Sequence, residues 1–382
     1  WLNIELQHLD GEGLRRRPRR VTPLEPGWCE VEGRTLRNFA SNDYLGLAAD
    51  PRVLEAAACA LDEAGAGARA SALVAGRSEW HDRLERGLAA FEGTEAVLLF
   101  PTGFAANVGT IGALVGREDV VYCDRLNHAS LVDGCRLSGA RFRVYPHGDV
   151  AALNRELAKG GECRRRLIVT DSLFSMDGDA APLTELAELA ERHDAMLLVD
   201  EAHATGVFGT TGRGLTEAMA VDPSRLIKVG TLSKGVGAQG GFVAGPRLLI
   251  DWLYNTARTQ MFSTALAPAA CAAALAAIEI IRNEPMRREK LQALSDKLRT
   301  ALAARGVGVA AGSIGPIVPV VVGNVRRVVE AGTRLEDEGH LVAAIRPPTV
   351  PAETARLRIS LTSAHTREDV EALAAAVAGV LV

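Results

Sequence analysis

Seven short β-rich runs alternate with helical patterns through the middle of this chain, an arrangement that restricts it to mostly parallel strands joined by crossover helices. The runs fall at 96–100, 120–123, 141–145, 167–170, 196–200, 227–231 and 241–244. Pro182 opens a helical stretch at 183–192, since a proline costs nothing at the first helical position. The resulting α/β fold has a seven-stranded sheet with helices on both faces, and in such sheets ligands collect at the carboxyl ends of the strands. Thr102-Gly103-Phe104, Ser175, Asp200 with His203, and Lys234 all fall there. Beyond about residue 286 the character changes to a charged amphipathic helix at 287–305, β-rich runs at 317–322 and 356–362, and a last helix with Thr366 as its N-cap. The expected organisation is an N-terminal arm (1–47), a large domain (48–286) and a smaller C-terminal α+β domain (287–382).

Composition narrows the partners. A chain of 382 residues with 48% hydrophobic and 24% charged residues has material for a sizeable core, which argues against disorder. A net charge of −4 gives no electrostatic reason to expect nucleic acid or an anionic membrane. The basic run Arg15, Arg16, Arg17, Arg19 and Arg20 reads first as solvated surface. The six cysteines contain no C-x-x-C pair and no zinc spacing, which fits reduced thiols and a cytoplasmic location and implies no metal. The uncharged stretch 261–278 is mostly alanine with Pro268 inside it, a weak membrane candidate that reads better as a buried helix. The start carries no signal-peptide pattern, and the absence of an initiator Met suggests trimming or an incomplete start.

Lys234 sits in Gly230-Thr-Leu-Ser-Lys-Gly-Val-Gly, where small residues let a bulky group approach the backbone. A lone lysine of this kind is usually structural; Val199-Asp-Glu-Ala-His upstream changes the reading. A lysine Schiff base to pyridoxal 5'-phosphate needs an acid beside the pyridine nitrogen, and Asp200 at a strand end supplies it. His203 is placed to reach the ring hydroxyl. The strand-to-helix turn at Gly103 and Phe104 offers backbone amides to a phosphate, with the Thr231 hydroxyl beside Lys234. His128 combines an aromatic face for stacking with a titratable nitrogen, and Ser175 gains meaning only with the others.

Two motif matches lead elsewhere and fail. Val199-Asp-Glu-Ala-His resembles a helicase acidic box, but the chain has no Gly-Lys dipeptide and so no phosphate loop of that kind. Gly235-Val-Gly-Ala-Gln-Gly matches G-x-G-x-x-G, yet a β-rich run follows it where a helix should open.

Together, Ser41-Asn-Asp-Tyr-Leu-Gly-Leu, Thr102-Gly-Phe-Ala-Ala-Asn, Phe174-Ser-Met-Asp-Gly-Asp, Val199-Asp-Glu-Ala-His, Thr231-Leu-Ser-Lys-Gly and Ala344-Ile-Arg-Pro-Pro-Thr-Val-Pro resemble the α-oxoamine synthase family of fold-type I pyridoxal phosphate transferases. The resemblance spans nearly the whole chain. It implies Lys234 as the Schiff-base lysine and base, Asp200 on the ring nitrogen, His203 on the ring hydroxyl and His128 stacked over the ring. Gly103, Phe104 and Thr231 would serve the phosphate, Ser175 would border the cofactor, and Asn42 with Arg358 would receive the amino-acid carboxylate. Arg15 and Thr349 would line the acyl path, and Thr264 would reach the phosphate of a second subunit in a homodimer. The form of 344–351 resembles the branch that joins L-alanine to a pimeloyl thioester, on coenzyme A or acyl carrier protein, for biotin synthesis. Branches using glycine or serine, and a catalytically silent pyridoxal phosphate-binding protein, are the alternatives; the last has no use for Asn42 and Arg358. One departure stands at 66–75, where Ala-Gly-Ala-Arg-Ala-Ser-Ala-Leu-Val-Ala replaces a run richer in glycine and serine, and its added side chains are expected to narrow that loop.

Overall fold

The computed structural model describes residues 1–159, 161–351 and 353–382. The chain divides into two compact units, the larger made of Leu47–Phe174 and Ala180–Pro285, the smaller of Trp1–Gly46, Ser175–Asp179 and Met286–Val382.

The larger unit is built on a seven-stranded sheet. Its strands are β1 (Ala96–Phe100), β2 (Val120–Asp124), β3 (Arg141–Tyr145), β4 (Arg166–Asp171), β5 (Met196–Asp200), β6 (Leu226–Thr231) and β7 (Gly241–Gly245), in the order β1-β7-β6-β5-β4-β2-β3. Neighbours from β6 to β3 pair in parallel, whereas β7 runs antiparallel to both β1 and β6. The reversal has a simple cause: residues 232–240 alone join β6 to β7, too few for the crossover that a parallel return needs. Strands covered on both faces read as unbroken apolar runs, and β1, β2, β5, β6 and β7 are almost wholly buried. The edge strand β3 is largely exposed and carries Arg141 and Arg143, charges that discourage pairing with another strand. Leu98, Val121, Leu167, Leu198, Val229 and Val243 pack with Ile111 and Leu131 from the covering helices, each such burial worth about 1.5–3 kcal/mol.

Helices of this unit include α1 (Gly103–Leu114), α2 (Ala129–Leu137), α3 (Leu183–Arg192), which follows Pro182, and α4 (Pro268–Asn283). α1 and α2 approach closely at Gly134, where a Cβ would lie 2.9 Å from Ile111 Cδ1 and 3.4 Å from the Asn107 carbonyl oxygen. The stretch 261–278 is not one buried helix. A short helix ends at Met261, irregular backbone follows, and α4 starts at Pro268, because a residue without an N–H begins a helix and does not continue one. The stretch 66–75 runs into a π-helical turn at Ala72–Gly76 that closes on Ser71, and Leu73 and Val74 are exposed.

In the smaller unit, Ala355–Ser360 lies between Ile317–Gly323 and Ala343–Ile345 in an antiparallel sheet. The first 46 residues begin with helix Leu2–Gly11 and supply strands Val21–Pro23, Trp28–Val31 and Arg34–Asn38, which His340–Leu341 joins in parallel. Helices Met286–Ala303, Val325–Asp337 and Arg367–Leu381 complete it, the last capped by Thr366 in a capping box with Asp369. Among the described residues no helix is long and apolar enough to cross a membrane.

Candidate active site

In the larger unit the carboxyl ends of β1, β4, β5 and β6 carry the chemically suggestive residues. Asp200 closes β5 and is buried; its Oδ1 accepts the Ala202 N–H at 2.8 Å and its Oδ2 accepts Asn107 Nδ2 at 2.6 Å, so two donors from different elements orient one carboxylate. Asp171, in register with Asp200 at the end of β4, is also buried. Burial and the neighbouring Asp200 push its carboxyl well above the usual range, although it accepts the His128 backbone N–H.

Lys234 follows β6, and its Nζ stands 2.9 Å from Nε2 of the buried His203. His128 is the N-cap of α2: its Nδ1 accepts the Ser130 N–H at 3.2 Å and lies 2.7 Å from Ser130 Oγ. Burial holds this imidazole below the ordinary histidine value, the charge of Lys234 adds to the lowering, and Asp200 opposes it.

A second cluster lies where β1 turns into α1. Thr102 caps the helix through Ala105 N–H, and the Ala106 N–H closes on the Thr102 carbonyl, so the amides of Gly103 and Phe104 head the first turn as an anion cradle. A Cβ on Gly103 would come 3.3 Å from Thr231 Oγ1, and one on Gly241 would sit 2.5 Å from Gly103 N. Glycines here let the sheet and helix approach until hydroxyl and amides stand together. Thr264 is exposed on the segment between the short helix and α4, in a β-bridge with Ser71.

In the smaller unit Arg358 is buried, with Nε donating to the Ser175 carbonyl at 2.6 Å and Nη1 to Ser360 Oγ at 2.9 Å. Both Nη atoms lie 3.3 Å from Asn42 Oδ1, and Nη2 is 3.4 Å from the Tyr44 hydroxyl. Ser175, Asn42 and Arg358 are therefore together, joined by Tyr44 and Ser360, which sequence reasoning did not assign. Arg15 pairs with Asp10, and its carbonyl accepts Arg346 Nη2 at 3.1 Å; Thr349 accepts instead from Arg16, at 3.4 Å. Arg16 also donates to the carbonyls of Arg346 and Pro347, so the segment around Arg15 is tied to the one around Thr349.

Sequence reasoning also gave no role to Asn107 and Ser130. Asn107 could be found only from the helical spacing that brings it one turn below the Gly103 amides, while Ser130 left no signal. The donor set of the larger unit fits pyridoxal phosphate: an amine for the aldehyde at Lys234, an oriented carboxylate for the ring nitrogen at Asp200, an imidazole for the ring hydroxyl at His203, and a hydroxyl with helix-end amides for the phosphate. The side-chain amide oxygen of Asn107, Oδ1, is buried without a hydrogen-bond partner, leaving an acceptor near that carboxylate.

Comparison with known proteins agrees with this chemistry. Residues 34–377 match the family model for aminotransferase class I and II. An 8-amino-7-oxononanoate synthase of Anaeromyxobacter dehalogenans is 52% identical over 381 residues, covering 100% of this chain and 95% of the relative. One from Alkalilimnicola ehrlichii is also 52% identical, over 97% of this chain and 95% of its own length. Among solved structures, serine palmitoyltransferase from S. paucimobilis with bound PLP and myriocin has a TM-score of 0.95 at 31% identity, covering 99% of this chain and 96% of that one. Similarity of fold thus extends across enzymes named for different products, while the two synthases named above reach 52% identity. With 52% identity to two of its members over at least 97% of its length, the chain belongs to the 8-amino-7-oxononanoate synthase family of fold-type I transferases.

Proposed function

We propose that this chain is a pyridoxal phosphate-dependent acyltransferase that condenses L-alanine with a pimeloyl thioester, on coenzyme A or acyl carrier protein, releasing carbon dioxide and the free thiol carrier and forming 8-amino-7-oxononanoate. The observation that carries the reading is the Lys234, His203 and Asp200 set at adjacent strand ends, in a chain 52% identical to relatives that bear that synthase name. The bound cofactor supplies a protonated ring that draws electrons from the α-carbon of the amino acid.

The chain's own residues do the rest. Arg358 and Asn42 recognise the alanine carboxylate, the guanidinium offering paired donors of opposite charge. Asp200 holds the ring-nitrogen proton, His203 orients the ring hydroxyl, and Gly103, Phe104 and Thr231 hold the phosphate. Lys234 Nζ removes the Cα proton of alanine, and with His128 beside it a proton is returned to the same carbon after carboxylate loss. Ser175 borders the cofactor, and Arg15 and Thr349 serve the acyl chain. A cytoplasmic homodimer is part of the reading: Leu73, Val74 and Phe262, exposed on the segments that carry Ser71 and Thr264, support a subunit contact in which Thr264 serves the partner's phosphate.

The fold likeness to serine palmitoyltransferase supports a second reading, in which serine replaces alanine. A panel of amino acids and acyl thioesters, followed by thiol release and cofactor absorbance, separates them. Release with alanine and pimeloyl thioester is expected; release only with serine or glycine and another thioester overturns the first reading. Lys234→Ala should abolish both the bound-cofactor absorbance and turnover, and retained turnover would remove Lys234 from its role.

A further inference from the structure

We propose that Asn107 and Ser130 form a positioning relay that sets the tautomer of His128 from the carboxylate of Asp200, leaving the ring's single proton on Nε2. Asn107 Nδ2 stands 2.6 Å from Asp200 Oδ2 and 2.9 Å from Ser130 Oγ, and all three side chains are buried. An amide turned the other way would set its oxygen against a carboxylate oxygen, so the NH2 group must face both partners. Ser130 Oγ therefore accepts from Asn107 and retains its own hydrogen to give.

The acceptor for that hydrogen is His128 Nδ1, 2.7 Å away. The Ser130 backbone N–H points at the same nitrogen from 3.2 Å. A nitrogen receiving two donors has no place for a hydrogen of its own, so the neutral ring carries its proton on Nε2. Protonating Nδ1 would turn the serine hydroxyl away and set N–H against N–H.

The other charges around the imidazole come from several elements. Asp200 ends β5, Lys234 follows β6, Asp133 lies on α2 itself, and Asp171 at the end of β4 holds the His128 backbone N–H at 2.6 Å. Asp200 and Asp133 favour the charged ring, while burial and Lys234 oppose it, and the net lowering has the same sense as the relay. His128 thus meets cofactor and amino acid as a neutral hydrogen-bond donor, and the proton transfers at Cα fall to Lys234. Only this last role rests on the proposed function; the tautomer itself does not.

The test is nitrogen-15 NMR of the histidine side chains in the full chain without cofactor, with the His128 signals identified from a His128→Asn spectrum. The wild-type ring is expected to be neutral at pH 7 with Nδ1 unprotonated. Ser130→Ala removes one donor to the neutral form and should raise the titration midpoint by about half to one pH unit, the equivalent of one neutral hydrogen bond. Ser130→Thr keeps the hydroxyl and should keep the midpoint. A hydrogen on Nδ1 in the wild-type protein overturns the relay without recourse to any variant, as does an unmoved midpoint in folded Ser130→Ala. Since no cofactor or substrate is present, failure here leaves the thioester panel untouched, and failure of the panel leaves the tautomer standing.

Discussion

Gly241→Ala is the most direct test of the phosphate cradle. The new Cβ would stand 2.5 Å from Gly103 N and 2.5 Å from the Thr102 carbonyl oxygen. Carbon contacts relax near about 3.5 Å, so strand and turn must part by roughly 1 Å. Neither neighbour is a side chain able to rotate away, and Gly241 is held in register with Phe100 on one side and Thr231 on the other. Overpacking of this kind costs about 1–3 kcal/mol, which for a chain of this size lowers Tm by roughly 1–4 °C. The displaced peptide also carries the amides proposed to hold the phosphate. A hydrogen bond to a charged group is worth about 1.5–3 kcal/mol, so losing one weakens cofactor binding by roughly ten- to hundredfold. Gly112→Ala supplies the control: it lies on α1, the helix headed by the Gly103 amide, with nothing within 4 Å of its Cβ, and should gain up to ~1 kcal/mol of helix propensity with cofactor affinity unchanged. Thermal unfolding of the cofactor-free protein and absorbance titration with pyridoxal phosphate measure the two effects. If Gly241→Ala keeps both the wild-type Tm and an affinity within about twofold, the close approach does not shape the cradle.

Two further outcomes follow from the smaller unit. His365 is fully buried with its ring stacked on Phe39 at 4.1 Å, and burial, helped by Arg37, pushes its pKa down to about 3. Because the folded value lies below the unfolded one, folding is favoured fully above about pH 6.5 and loses up to about 1.4 kcal/mol per pH unit as pH falls toward the folded value. Urea midpoints between pH 7 and 4 should therefore show a slope that His365→Gln reduces by about one bound proton; an unchanged slope rejects the assignment. Arg358→Lys keeps the charge but loses the planar fork, and should raise the KM for alanine by roughly ten- to hundredfold while bound-cofactor absorbance stays as in wild type. Equal loss of absorbance would show that Arg358 serves the cofactor instead.

Much of the larger unit was legible because its strands are covered on both faces, and continuous apolar runs bounded by polar residues mark their own ends. The run at 196–200 needed only Met-Leu-Leu-Val before Asp200. The direction of β7 was less visible, since nothing in Gly-Phe-Val-Ala-Gly encodes orientation; only the shortness of the preceding connection does. Alanine-rich sequence at 261–278 lacks the periodic contrast that would locate a helix start, so the break before Pro268 was missed. Lys234, Asp200 and His203 stood out through residue type and spacing. Asn107 and Ser130 did not, because a hydrogen-bond chain across β5, α1 and α2 depends on helix approach at Gly134, and an amide or hydroxyl at such positions has ordinary local meanings. Tyr44 and Ser360 were hidden for the same reason, being defined only by what Arg358 can reach.

The loop that carries Lys234 is closed at its neck. The Leu232 N–H bonds to the Gly240 carbonyl at 3.0 Å, the Ala238 N–H bonds to the Leu232 carbonyl at 2.7 Å, and Gly241 enters an interior strand immediately afterwards. Any load applied through the lysine side chain therefore passes into β6 and β7 together and is resisted in shear by ladders on both sides. A lysine on an open loop at a sheet edge would transmit the same pull as peeling, one hydrogen bond at a time.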